Sequence, residues 1–174
     1  MIHFRAIERE DLAALRDNRN ALMENFRQHK LLNMVNQEDW LLAISRGDEH
    51  IMMAIAPEVL GGMLGVGLLG VAGLTYIDWI RRNAEASIYI FPGQVRKGFG
   101  SAALKKLLDY GFGELALHRI YAEIWNFNAA SLALFEKCRF KREGVSRHAV
   151  MHKGEWHDSI MLSILEDEWR SLAK

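Results

Sequence analysis

Hydrophobic positions recur every two residues in some stretches and every three to four in others, so strands and helices interleave along the chain. Phe4 and Ala6 against Arg5 and Ile7 predict a short first strand. Glu10 and Asp11 open an acidic helical turn, and Leu12, Leu15 and Leu22 fit one helix face. Residues 21–46 read as helical in two pieces. The second starts at Asn36-Gln37-Glu38-Asp39, with Trp40, Leu41 and Ile44 facing inward. Ile51–Ala56 reads as a strand closed by Pro57, and Leu68–Trp79 as a long strand. Arg81-Arg82-Asn83 makes a turn, residues 84–91 the next strand, and Pro92-Gly93 its end. The clearest helix is Ser101–Leu115. There Leu104, Leu107, Leu108, Phe112 and Leu115 repeat at helical spacing, with Lys105, Lys106 and Asp109 outside. Arg119–Trp125 alternates as a strand. Asn128 caps a short helix to Lys137, with Ser131 in its first turn. Strands near 140–151 and 156–164 flank a turn at Lys153-Gly154, and a weak helix covers 165–172.

This order predicts one mixed α/β domain over residues 1–174, built around a central sheet. Val59 to Ile77 carries no charged residue, a length that could just cross a bilayer. Its six glycines, Gly61-Gly62 among them, argue instead for a loop followed by a buried strand. Lys+Arg and Asp+Glu balance at 22 each, which argues against a general nucleic-acid binder. The single cysteine, Cys138, has no internal disulfide partner, and Met1–Arg5 lacks a signal-peptide pattern; both fit a reducing cytoplasm.

The chemistry concentrates in Val95-Arg96-Lys97-Gly98-Phe99-Gly100-Ser101, a basic, glycine-punctuated loop between the strand ending at Phe91 and the clearest helix. Glycines there let an anion approach backbone N–H groups at a helix N-terminus, and the arrangement suits a phosphate. The loop lacks both the Walker pattern and the three glycines of a dinucleotide fingerprint.

Around this loop lie Phe4–Leu12, Leu69–Asp78, Arg82–Ile90, Asn126-Phe127-Asn128-Ala129-Ala130-Ser131 and Phe135–Gly144. In that order and spacing the chain resembles the GCN5-related N-acetyltransferase (GNAT) family. It is similar to the branch holding spermidine, ribosomal-protein N-terminal and amino-sugar acetyltransferases. The resemblance implies a mixed, mostly antiparallel sheet of about seven strands flanked by helices, and acetyl-CoA as acyl donor. It assigns the CoA pyrophosphate to Val95–Ser101 and the pantetheine arm to Ile88, Tyr89, Ile90 and Phe91. Asn128, Ser131, Phe135 and Lys137 match further cofactor-side positions. Asn128 also reads as a plain helix N-cap. The basic run from Lys137 to Arg147 reads as a solvated face that also meets the CoA 3′-phosphate. Members of this branch often form dimers, while nothing in the sequence fixes the oligomeric state.

Three positions depart from the family pattern. Val95 stands where Gln or Arg is usual, and Arg139-Phe140 stands for Gly-Phe. Phe135 replaces the tyrosine often used as general acid. Transfer to a primary amine, which titrates near about 10, needs a base at neutral pH. Glu85 is the candidate, set on one strand face with Ser87, Tyr89 and Phe91 by the two-residue period; its alternative is a surface glutamate near Arg81 and Arg82. Transfer then proceeds with water, or with Tyr121 or Tyr89 as the substitute acid, and backbone N–H groups near Ile90 are the expected oxyanion donors.

The resemblance places the acceptor among the N-terminal helices and the last hairpin. Arg27 is a candidate substrate contact, and so are one or both of Trp79 and Trp156, whose ordinary role is core or interface packing. Residues 24–32 carry Arg27, His29 and Lys30 against Glu24. That charge favours an acceptor with an anionic part, such as a nucleotide-linked amino sugar, over a polyamine; a protein N-terminus or a polyamine is the alternative acceptor. The Asn18-Arg19-Asn20 segment with Trp40 is similar to sugar-modifying members. A CoA-binding module without catalysis is the reading from another class. No metal is expected: His148, His152 and His157 lack zinc-ligand spacing.

Overall fold

The computed structural model describes residues 1–28, 30–58 and 67–172. Its seven-stranded sheet has the order β1-β2-β3-β4-β5-β7-β6. The strands are β1 (Ile2–Arg5), β2 (Ile51–Pro57), β3 (Gly70–Asp78), β4 (Asn83–Ile90), β5 (Arg119–Trp125), β6 (Lys141–His152) and β7 (Glu155–Leu165). β1–β2, β5–β7 and β6–β7 pair antiparallel, and β4–β5 pairs parallel. The α-helices among the described residues are α1 (Leu12–Ala21), α2 (Met34–Arg46), α3 (Phe99–Asp109), α4 (Ala129–Lys137) and α5 (Glu166–Leu172). This is the mixed, mostly antiparallel architecture expected from the sequence. The Gly61-Gly62 loop and His29 lie outside the described residues. No helix among those described is long and apolar enough to cross a membrane.

The chain divides into two compact units. The first comprises Met1–Gly73 with Ile88–Ala103. Its core gathers Ile7, Leu12, Leu15, Ala54, Val71 and Tyr89. β1 stops at Arg5, short of the expected Ile7, because the Arg5 guanidinium turns back onto the Asp11 carboxylate at 2.7 and 2.8 Å. Asp11 also accepts the Glu8 N–H, starting a 3₁₀ turn over Arg9–Asp11. That pairing holds the Asp11 carboxyl below its ordinary range.

The predicted helix over 21–46 is corrected. α1 ends at Ala21, and only a 3₁₀ turn, Met23–Asn25, follows before α2. The Asn20 side chain holds the intervening loop as a backbone would. It donates to Leu32 O and accepts from Leu32 N, at 2.8 and 2.9 Å. α2 starts at Met34 rather than Asn36, because Asn33 and Asn36 cap each other reciprocally. Trp40, Leu41 and Ile44 pack against the core only partly buried. The fully buried residue of α2 is Gln37.

The second unit comprises Leu74–Ser87 with Leu104–Lys174. Leu104, Leu107, Leu108 and Phe112 are buried at the helical spacing the sequence showed. The expected α-helix to Leu115 widens instead into a π turn over Tyr110–Glu114, closed by Leu115 N–H to Tyr110 O. At the end of α4, Arg139 adopts φ 71° while Phe140 N–H reaches back to Phe135 O. This is the left-handed helix stop that favours glycine, which accounts for the residue the family places there. Arg139→Gly should raise stability by about 0.5–1 kcal/mol, a Tm rise of about 2 °C in a thermal melt. An unchanged or lowered Tm would contradict the strain.

Candidate active site

The first unit holds the anion loop. Phe91 lies just past β4, and its N–H is taken by Leu69 O at 2.9 Å, so it is withdrawn from the expected oxyanion donors. A 3₁₀ turn over Pro92–Gln94 leads into exposed Val95, Arg96, Lys97 and Gly98. α3 opens at Phe99, two residues before the predicted start. Its first i→i+4 bond runs from Ala102 N–H to Gly98 O at 3.1 Å. The amides of Phe99, Gly100 and Ser101 therefore precede the helix ladder and are the groups an anion can take. Gly98 has φ +83°, and nothing lies within 4 Å of where a side chain would start, so the approach is open. The Lys97 ammonium folds back onto Gly93 O and Gln94 Oε1, at 3.0 and 2.9 Å, and braces the loop. Arg96, with φ 63°, is exposed on its rim.

Above the loop, Ile88 and Ile90 are half-buried and Tyr89 is buried. The buried positions of β4 fall at Ala84, Ala86 and then Tyr89. The strict alternation that would give Glu85 and Tyr89 one environment therefore slips between Ala86 and Tyr89. Burial pushes the Tyr89 phenol up to about 12, partly opposed by the Arg19 charge. A phenol that holds its proton so firmly is a poor donor to a leaving thiolate near about 8.5, which disfavours Tyr89 as the substitute acid.

The second unit holds the proposed acid–base residues. The parallel pairing of β4 with β5 runs Asn83–Arg119, Ala84–Ile120 and Glu85–Tyr121, and both strands continue beyond it. Glu85 and Tyr121, chosen separately from the sequence, are thus direct neighbours across the last pair of the ladder. Thr75 Oγ1 donates to the Glu85 carbonyl at 3.3 Å and ties that position to β3. Arg119, which the sequence reading passed over, sets its guanidinium 5.1 Å above the Tyr121 ring. Its signal was the two-residue offset from Tyr121 on one strand face. Glu143 holds Arg119 in turn and accepts Ser163 Oγ at 2.6 Å. The Ser163 hydrogen bond, then the Arg119 one, keep the Glu143 carboxyl below its ordinary range.

In the same unit Asn128 Oδ1 accepts the Ser131 N–H at 3.2 Å, the N-cap role. Phe135 is 2% exposed, with its ring edge-on to Phe140 at 4.8 Å. Lys137 is exposed at the end of α4. Trp79 lies in the turn between β3 and β4, not in a strand. Trp156 lies on β7 stacked against His148. Register puts Trp79 beyond the Arg119 end of β5 and Trp156 beyond the Trp125 end. Seven strand residues, roughly 20 Å, separate those ends, so at most one of the two tryptophans walls any single site. Arg27 is exposed in the loop between α1 and α2. Burial pushes the Cys138 thiol up, against the weaker pull of Lys105 and Lys137, which suits a packed thiol rather than a nucleophile. The described residues contain no cluster of three or more His, Cys, Asp or Glu placed to hold a metal.

Comparison with known proteins bears on this arrangement. The family model for the acetyltransferase (GNAT) domain matches residues 2–141. A spermidine N(1)-acetyltransferase of Vibrio cholerae is 33% identical over 102 residues, 59% of this chain and 59% of that protein. The uncharacterized N-acetyltransferase p20 of Bacillus licheniformis is 35% identical over 59% of this chain and 57% of its own length. These matches thus span under two thirds of the relatives. The crystal structure of the Vibrio cholerae spermidine N-acetyltransferase with CoA and spermine superposes with a TM-score of 0.85. It is 26% identical and covers 97% of this chain and 98% of that one. The fold agreement runs the length of the chain, and the family match covers the anion loop, the Glu85–Tyr121 pair and α4: the chain belongs to the GNAT acetyltransferase family.

Proposed function

We propose that this protein is an acetyl-CoA-dependent N-acetyltransferase acting on a primary amine. The observation that carries the reading is the opening of α3, where three consecutive amides precede the helix ladder behind an unobstructed Gly98. That chemistry fits a pyrophosphate, and Phe99, Gly100 and Ser101 would hold it with Arg96 on the rim. Bound acetyl-CoA supplies the activated acetyl thioester. Glu85 is the base that takes a proton from the amine, directly or through water. Tyr121, steadied by the Arg119 cation, is the acid that Phe135 cannot be.

For the acceptor, the spermidine acetyltransferases among the relatives support a polyamine, and nothing among them supports a nucleotide-linked amino sugar. One observation favours a second reading, an amine that also carries an anionic group: Arg19 is a half-buried cation over the ring of Phe26, in the loop that carries Arg27 and Lys30. Acetyl-CoA-dependent thiol release should appear with at least one small primary amine from a panel of polyamines, amino acids and amino sugars. Tight acetyl-CoA binding without release on any of them, or on peptides with free N-termini, would replace the enzyme with a binding module.

A further inference from the structure

The first unit contains polar atoms that its own fold leaves without partners. Arg19 Nε, on α1, and Tyr89 Oη, on β4, are buried and form no hydrogen bond among the described residues. Both are donors. Gln28 Oε1, an acceptor, is buried and unpartnered as well, although the Nε2 of the same amide is fixed by Asn20 Oδ1 and Lys30 O. Phe26 ties Arg19 and Tyr89 together. The Arg19 guanidinium lies 5.0 Å over its ring, and the Tyr89 ring meets it edge-on at 4.9 Å. Tyr89 is 9% exposed.

Such orphans are rare in native folds, because each costs about 1–3 kcal/mol if left unmet. A half-buried guanidinium over an aromatic ring, its Nε buried and with no carboxylate of its own among the described residues, leaves a partly desolvated positive charge uncompensated. Two unpaired donors, one of them charged, call for an acceptor oxygen that is itself charged. The unpaired amide oxygen of Gln28, two residues after Phe26 in the chain, calls for an N–H. A compound with both a carboxylate and an amine presents both groups. A polyamine supplies the N–H but sets a cation against Arg19.

We infer that Arg19 and Tyr89 form a carboxylate subsite, and that the amine this chain acetylates carries a carboxylate. The inference rests on the acetyltransferase reading for its second half only. The test uses matched pairs differing by the carboxylate alone: L-lysine against cadaverine, and L-phenylalanine against 2-phenylethylamine. Calorimetric binding to the full chain and acetyl-CoA-dependent thiol release are both measured. The carboxylate member of at least one pair should bind about tenfold or more tightly, a difference of about 1.4 kcal/mol. Tyr89→Phe, which removes one hydroxyl and keeps the packing, should weaken that member about tenfold more than its decarboxylated partner. Arg19→Gln should abolish the preference.

Equal binding within both pairs, or a Tyr89→Phe change that moves both members alike, would mean that ordered water fills the site and would overturn the subsite. Discrimination in binding with no thiol release would keep the subsite and remove the acetyltransferase reading. Release without discrimination would do the reverse.

Discussion

Gly70→Ala should destabilise the protein by about 3 kcal/mol or more, lowering Tm by about 10 °C in a thermal melt. Gly70 begins β3, where the backbone of β4 passes directly over it. A methyl group there would lie 2.0 Å from Tyr89 O and 2.9 Å from Ile90 Cα. Those are backbone atoms, so no side-chain rotation relieves the clash. The φ of +155° adds a second cost that any L side chain bears. The strands must move apart where Phe91 N–H bonds Leu69 O, the contact that delivers the chain into the anion loop. Acetyl-CoA affinity should therefore fall along with stability. A variant with unchanged Tm would mean that the close approach of β3 to β4 is not a feature of the folded protein.

This glycine marks a boundary of what the sequence disclosed. Strand-like runs on both sides of it were legible from their apolar spacing, as were α4, the last hairpin and the loop from Val95 to Ser101. The requirement for glycine at position 70 was not, because it comes from a neighbour nineteen residues away. The α1–α2 region failed for a related reason. Residues 21–33 have helical composition, but Asn20 pairs its side chain with the backbone of Leu32 and holds the segment as a loop. Local propensity lost there to one side chain bonding twelve residues ahead. The same misreading hid Gln28, whose amide bonds to Asn20 Oδ1 and Lys30 O depend on that loop. Arg139 went the other way. Its departure from the family's glycine was visible in the sequence, and only its φ of 71° gave the reason glycine is usual.

Glu85→Gln should lower kcat about 10²–10⁴-fold near neutral pH while leaving acetyl-CoA affinity and Tm close to wild type. The substitution keeps the shape of the side chain and removes its basicity. Glu85 sits at the last rung of the β4–β5 ladder, with its carbonyl fixed by Thr75, so the position itself should survive the change. The pH dependence separates a base from a structural carboxylate. A primary amine loses its proton unaided near about pH 10, so the defect should shrink as pH rises toward that value. A structural role would leave the ratio of variant to wild-type rates flat. Tyr121→Phe should act at the opposite end of the reaction. Without a donor, the leaving thiolate departs unassisted, and with a thiol titrating near about 8.5 that costs less than losing the base. A rate loss of about tenfold, in a variant that still binds acetyl-CoA, is expected. Arg119→Met should reproduce part of it, because the cation over the ring is gone while the phenol remains. If Glu85→Gln instead retains full activity across pH, the Glu85–Tyr121 pair is a neighbouring feature of the sheet, and the proton must leave the amine by another group.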